Sequence, residues 1–282
     1  MINKDTKFLI VGLGLLGGSY ALGLKQAGYC VSAIDINPES ISYALTHEII
    51  DEGTIDDTSL ISQADAIIFG LYPKTMISWI QKYQSYFKPN IFITDVSGVK
   101  CGVIDVIQNN LRKDVEFISS HPMAGKEVSG VQFSDPNIFK IANFIITPTS
   151  KNTEKGIQFA KDIANVLNFH NITCLTPKKH DQMIGFVSQL THVIAVSLMN
   201  TNDNTHLVEY TGDSFRDLTR IAKINEKLWS ELFLLNKDIL VKEIDDFSEE
   251  LQNFRNKLIH DDVKGMEALF KQSTERRKLF DK

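Results

Sequence analysis

Residues 7–35, KFLIVGLGLLGGSYALGLKQAGYCVSAID, leave the chain few ways to fold. An apolar run from Lys7 to Val11 enters a glycine-rich turn, a helix-length segment follows, and a second apolar run closes on Asp35. Strand, tight turn, helix and parallel strand form a right-handed crossover unit. Within Gly12-Leu13-Gly14-Leu15-Leu16-Gly17 each glycine has a physical task. Gly12 permits the sharp turn, Gly14 lets the backbone approach a pyrophosphate, and Gly17 lets the helix pack closely on the sheet. The amides at the helix N-terminus then face the phosphates. The plainer alternative is that small residues merely permit tight packing. Asp35 can accept hydrogen bonds from both hydroxyls of an adenosine ribose and would repel a 2′-phosphate, and Ile36, Asn37 and Pro38 provide no arginine to clamp one. The expected cofactor is NAD rather than NADP, held by Gly12, Leu13, Gly14, Leu15, Leu16, Gly17 and Asp35.

Phe8 to Leu24 is uncharged and follows Lys4 and Lys7, which is also the layout of a secretion signal. The glycine spacing, the charge at Lys25 and the strand-like run beyond it argue against that role. No other stretch is expected to approach the roughly 18 apolar residues of a membrane helix, so a cytoplasmic location follows. A net charge of −5, from 30 basic and 35 acidic residues interspersed along the chain, offers no broad basic field for nucleic acid or an anionic membrane. Cys30, Cys101 and Cys174 are odd in number and far apart, with no spacing that could hold zinc. They read as reduced thiols, and no metal site is expected.

From Lys7 to Thr176 short β-branched runs alternate with helical patterns: KFLIV, CVSAID, DAIIFG, NIFITDV, VEFIS, NFIITPT and HNITCL. This predicts a Rossmann-type, doubly wound, mostly parallel α/β sheet over residues 1–176. After Pro177 the runs give way to HDQMIGFVSQLTHVIAVSLMN and NEKLWSELFLLNKDILVKEIDDFSEELQNFRNKLI, predicting an all-α domain over 177–282. Its first helix is apolar nearly all round and is expected to be buried, in part by a partner subunit.

His121 follows the strand VEFIS, at the carboxyl edge where ligands sit in such sheets, and the proline after it favours an extended backbone. Imidazole has an ordinary pKa near 6.5 and can take a hydroxyl proton while hydride leaves the same carbon, so His121 is a candidate general base. A lone loop histidine as surface decoration is the plainer alternative. At the same edge, Asp95-Val96-Ser97-Gly98-Val99-Lys100 ends another strand. Ser97 could bond the imidazole or a nicotinamide amide, or simply cap a turn, and Lys100 is expected to begin a helix. Gln189 and His192 interrupt the first helix of the helical part on one face; such a stripe either pairs with another buried group or lines a cleft. Arg220 offers bidentate carboxylate capture, or a surface ion pair.

Taken together, the glycine loop, TDVSGVK, SHPMAGKEVSGV, FIITPT, HDQMIGFVSQLTH and FRDLTRIAKINEKLW resemble the prephenate/arogenate dehydrogenase family of tyrosine biosynthesis over nearly the whole chain. HPMAG with the downstream TRIA and Trp229 is fairly specific; the glycine loop alone is not. The resemblance implies NAD-dependent oxidative decarboxylation of prephenate to 4-hydroxyphenylpyruvate. It makes His121 the base at the ring C4 hydroxyl, with Ser97 beside it and near the cofactor. Arg220 corresponds to the carboxylate-binding arginine, His192 to the substrate-domain histidine and Trp229 to an aromatic near the pocket; Gln189 and Lys126 are counted with these substrate contacts. The family's Gly-Ser order is reversed in Ser97-Gly98. Gln189-Leu190-Thr191-His192 stands where many relatives have His-Leu-Pro-His, and Lys126 stands where others have threonine. A homodimer through the helical part is expected, with neither a fused mutase segment before Lys7 nor an added regulatory domain. Competing readings are the same chemistry on arogenate, a non-catalytic dinucleotide sensor, and a β-hydroxyacid dehydrogenase, which would want a lysine base in its helical domain.

Overall fold

In the computed structural model, which describes residues 2–280, strand β1 (Lys7–Val11) lies near the middle of a six-stranded parallel sheet. Its neighbours are β2 (Cys30–Ile34), β3 (Glu52–Thr54), β4 (Ala66–Phe69), β5 (Phe92–Asp95) and β6 (Glu116–Phe117), in the order β3-β2-β1-β4-β5-β6. The register sets Ile10 between Ala33 and Ile68. Period-two alternation splits β1 between two faces. Phe8 and Ile10 join Val31, Ala33 and Ile68 beneath Tyr20 and Leu24 of α1 (Leu15–Gln26). Leu9 and Val11 join Ile67, Phe69 and Ile93 beneath Met76 and Ile80 of α4 (Pro73–Tyr83). With both faces covered, the strands read as unbroken apolar runs rather than alternating ones. Helices α2 (Pro38–Thr46), α3 (Ser59–Gln63) and α5 (Ile104–Asn110) complete this layer. Strand β3 carries no apolar signal; Gly53 fits there because a Cβ would lie 2.8 Å from Ile50 and 2.9 Å from Ile41.

The chain departs from the predicted single sheet after β6. NFIITPT and HNITCL form β8 (Asn143–Ile146) and β9 (Asn171–Cys174) of a separate three-stranded sheet with β7 (Ser120–Pro122), in which β7 runs antiparallel to β8. The main sheet ends because Ser119 and Ser120 turn their hydrogen bonds onto Asp95 instead of extending β6. Helix α6 (Glu154–Val166) connects β8 to β9.

Among the described residues every element after β9 is helical. Pro177–Asn200 is one helix of 24 residues, composed of α7 (Pro177–Ile184), a π segment (Gly185–Leu190) and α8 (Thr191–Asn200). Thr176 caps it by accepting from the Lys179 amide, with Pro177 in its first turn. One expectation fails on this helix. It is long and apolar enough by composition to cross a membrane, because an 18-residue stretch of it has a mean hydropathy of 1.4 despite its scattered polar residues. The chain itself covers only part of it: Ile184, Leu190 and Ala195 are buried, whereas Phe186 is 57% and Val187 53% exposed. Then come α9 (Asp213–Thr219), a 3-10 turn (Arg220–Ala222) and α10 (Glu226–Leu235), the last capped by Asn225. The long NEKLW pattern breaks at Asn236, where the first compact unit ends. The second unit is a hairpin of α11 (Lys237–Ile259) and α12 (Val263–Arg277). Asp261 turns it with φ of 51°, Asp262 caps α12 by accepting from the Gly265 amide, and Phe254 meets Phe270 at 6.0 Å.

Candidate active site

The sheet order reverses between β1 and β4, which opens a crevice at the carboxyl ends of the strands. The glycine turn lies there. Gly12 has φ of +97°, and a Cβ on it would lie 2.8 Å from the Gly70 carbonyl oxygen. A Cβ on Gly17 would lie 1.9 Å from the Gly12 oxygen. Gly14 differs: no atom lies within 4 Å of where its Cβ would be. It is the cap residue of α1, and no side chain caps that helix, so the first amides face open space. Leu13 and Leu15 point into the core, leaving the turn's main chain as its outward surface. Asp35 braces the turn, accepting from the amides of Leu13 at 2.6 Å and Asn37 at 2.8 Å. An anion-binding helix end over an open glycine, with a carboxylate at the end of β2, suits a dinucleotide.

Two strands along the same edge, Asp95 and Lys100 are both fully buried. The ammonium of Lys100 donates to the Asp95 carboxylate at 3.0 Å and to the Ser120 carbonyl at 2.7 Å. Asp95 also accepts from Ser119 Oγ at 2.6 Å and the Ser120 amide at 3.0 Å. Burial lowers the Lys100 pKa, and Asp95 opposes that shift. Lys100 therefore does not begin a helix, as its position suggested; its side chain turns inward and α5 starts at Ile104. Ser97 is drawn into the same cluster, with its hydroxyl bonded to Asp95 and 3.1 Å from the Val99 carbonyl. It makes no bond to the His121 ring.

The partner of that ring is His180. His121 Nδ1 lies 2.9 Å from His180 Nε2, and His180 Nδ1 lies 2.7 Å from Asp181 Oδ1. Asp181 is held in turn by the amides of Lys100 at 3.0 Å and Cys101 at 2.7 Å. Desolvation, with His180 and Lys100 close by, holds the His121 pKa well below the usual imidazole value. Burial also lowers that of His180, against the pull of Asp181. His121 is thus a neutral imidazole able to accept a proton. A Cβ on Gly98 would lie 3.7 Å from His121 Nε2 and 3.5 Å from Leu232, so this nitrogen borders a position without a side chain. Neither His180 nor Asp181 was singled out from sequence. The available signal was an adjacent His-Asp pair in the first turns of a strongly apolar helix.

In the helical part, His192 stacks on Trp229, with centroids 3.7 Å apart, and its Nδ1 lies 2.8 Å from the Ser188 carbonyl. Burial lowers the His192 pKa; the Ser188 carbonyl and Glu127 oppose this, while Arg220 adds to it. Arg220 forms an ion pair with Glu127, a residue of the SHPMAGKEVSG loop that sequence reasoning passed over. Two expected substrate contacts are engaged elsewhere. Lys126 pairs with Asp135 at 2.9 Å. Gln189 is buried, donating to the Leu232 carbonyl at 3.2 Å and accepting from Asn236 at 2.7 Å, so it pairs helix to helix rather than lining a cleft.

An open glycine turn at the switch point of a doubly wound sheet, with a neutral histidine on the same edge, defines a dinucleotide-dependent oxidoreductase. The family model for the nucleotide-binding domain of prephenate dehydrogenase matches residues 20–173, and that for its dimerization domain matches 176–272. The chain belongs to the prephenate dehydrogenase family. It is 29% identical over 276 residues to the prephenate dehydrogenase of Bacillus subtilis, covering 95% of this chain and 74% of that one. With the Lactococcus lactis enzyme it shares 30% over 277 residues, 94% of this chain and 75% of that one. The crystal structure of prephenate dehydrogenase from A. aeolicus, in complex with hydroxyphenyl propionate and NAD+, superposes with a TM-score of 0.87 at 30% identity, covering 97% of this chain and 98% of that one.

Proposed function

We propose that this chain oxidises prephenate with NAD, releasing carbon dioxide and 4-hydroxyphenylpyruvate. The observation that carries the reading is the neutral His121 imidazole on the same sheet edge as the open glycine turn. The uncapped amides that follow Gly14 at the start of α1 hold the pyrophosphate, and Asp35, with no arginine after it, takes the ribose hydroxyls and disfavours NADP. When bound, the nicotinamide supplies the hydride acceptor. His121 takes the proton of the ring C4 hydroxyl as hydride leaves that carbon. It returns the proton to the same oxygen once the ring carboxylate departs and the ring becomes aromatic, so no proton is gained or lost overall. Aromatisation supplies the driving force, leaving positioning and proton handling to the protein. Arg220 exchanges Glu127 for a substrate carboxylate, beside the stacked His192 and Trp229. Ser97, Gln189 and Lys126 act at one remove, through Asp95, Asn236 and Asp135.

We read residues 1–176 as the nucleotide-binding part and 177–282 as the substrate and dimerisation part of a cytoplasmic homodimer. The dimerization-domain match and the exposed Met183, Phe186, Val187 and Met199 support a second copy over the first long helix. The test is NADH formation by purified protein given NAD and either prephenate or arogenate. Reduction with prephenate is the expected result. Reduction with arogenate alone would transfer the reading to that substrate, and silence with both, alongside measurable NAD binding, would overturn it.

A further inference from the structure

The hydrogen bonds behind His121 have a direction. A carboxylate can only accept, so the hydrogen between Asp181 and His180 belongs to His180 Nδ1. The neutral His180 ring then has a bare Nε2, and the hydrogen of the 2.9 Å contact must sit on His121 Nδ1. That leaves the lone pair of His121 on Nε2, the nitrogen beside Gly98. Asp181 cannot reverse this order, because the Lys100 and Cys101 amides also donate to it. Among the described residues no other side chain hydrogen-bonds the His121 ring: Ser97 is spent on Asp95, and Gly98 has nothing to offer.

The geometry points to His180, anchored by Asp181, as the positioning residue that sets the tautomer of His121 and makes Nε2 the proton-accepting nitrogen. This rests on the reaction proposed above, but the tautomer belongs to the free protein and is measurable without substrate. The rival role is purely structural, with His180 and Asp181 tying the first long helix to the loop after β5. It leaves the His121 tautomer unconstrained and makes substitutions act only through stability.

Nitrogen NMR of imidazole-labelled protein tests the assignment directly, since only seven histidines need resolving and the His121→Asn and His180→Gln spectra identify two of them. At neutral pH, His121 should show a protonated Nδ1 and a bare Nε2; the opposite pattern, or a mixture, overturns the proposal. Asp181→Asn gives the kinetic counterpart. An Asn oxygen that keeps the Cys101 amide turns the amino group onto His180 Nδ1 and reverses both rings, whereas one that keeps the Lys100 amide leaves them as they are; the imidazole spectrum of the variant distinguishes the two, and the kinetic expectation applies to the reversed form. Turnover should fall toward, and not beyond, the about 10² to 10⁴-fold loss expected on removing the base itself, with NAD affinity unchanged. His180→Gln offers an acceptor oxygen close to Nε2 and should stay within about tenfold of the wild type, whereas His180→Leu should lose at least about 10²-fold. Equal losses in the Gln and Leu variants, both folded, would overturn the positioning role. Wild-type protein that shows the tautomer pattern yet never reduces NAD would overturn the reaction and leave the tautomer assignment standing.

Discussion

The glycine turn and the His121 chain occupy one edge of one sheet and are built in opposite ways. The turn uses main chain and missing side chains, all within the span from Gly12 to Asp35. The histidine chain uses side chains from three distant segments, around positions 97–100, 119–121 and 180–181, wrapped about a buried Lys100–Asp95 pair. A local site is constrained by conformation, so its residue types and spacing announce it. A non-local site is constrained by donor and acceptor accounting, which appears only once the segments meet.

The largest expected effect falls on the non-local site. His121→Asn should lower kcat by about 10² to 10⁴-fold, the typical weight of a general base, while NAD titration gives an unchanged Kd. Unchanged turnover would mean that the edge holds the cofactor and no chemistry. Next comes Arg220→Ala. Losing a charge-assisted contact worth about 1.5–3 kcal/mol should raise the prephenate KM about 10- to 100-fold, with a smaller change in kcat. A KM that does not move would confine Arg220 to its ion pair with Glu127.

Within the turn, two substitutions separate folding from binding. Gly17→Ala drives a Cβ into the Gly12 carbonyl and should cost about 1–3 kcal/mol of stability, read as a lower denaturation midpoint. Gly14→Ala meets nothing in the free protein, so its midpoint should move little while NAD affinity drops, because the methyl occupies the space the pyrophosphate needs. Equal behaviour of the two variants would reduce the turn to a packing device.

The same contrast explains what was legible beforehand. The crossover unit, the parallel sheet, the glycine turn and the helical second half follow from patterns shorter than about thirty residues. Strand β3 was silent because Glu52-Gly53-Thr54 carries no apolar side chain, and β8 and β9 were misassigned because alternation gives a strand but not its sheet. Ser97 illustrates the limit at the site. Its neighbourhood was readable, but whether its hydroxyl faces an imidazole or Asp95 depends on Lys100 folding inward. His180 and Asp181 read as ordinary polar residues in the first turns of a helix until His121 was placed against them.

The smallest expected effect is a pH dependence that reaches only one of the two regions. Main-chain amides do not titrate, so NAD affinity through the turn should be flat across neutral and mildly acid pH. His121 and His180 both have folded pKa values below the unfolded imidazole value of about 6.5. Between the folded and unfolded values the unfolded chain binds more protons, so stability rises with pH there. The stabilisation is fully present above about 6.5 and is lost as the pH falls through the folded values. Activity should follow the same sign: kcat/KM is level through neutrality, because His121 is already neutral, and declines only well below 6.5 as the base protonates. A decline centred on the ordinary imidazole value would mean that water reaches the ring freely and that His180 and Lys100 exert no hold on it. A denaturation midpoint that falls with acid in the wild type, and less so in His180→Gln, would place the titrating groups in the histidine chain rather than elsewhere in the fold.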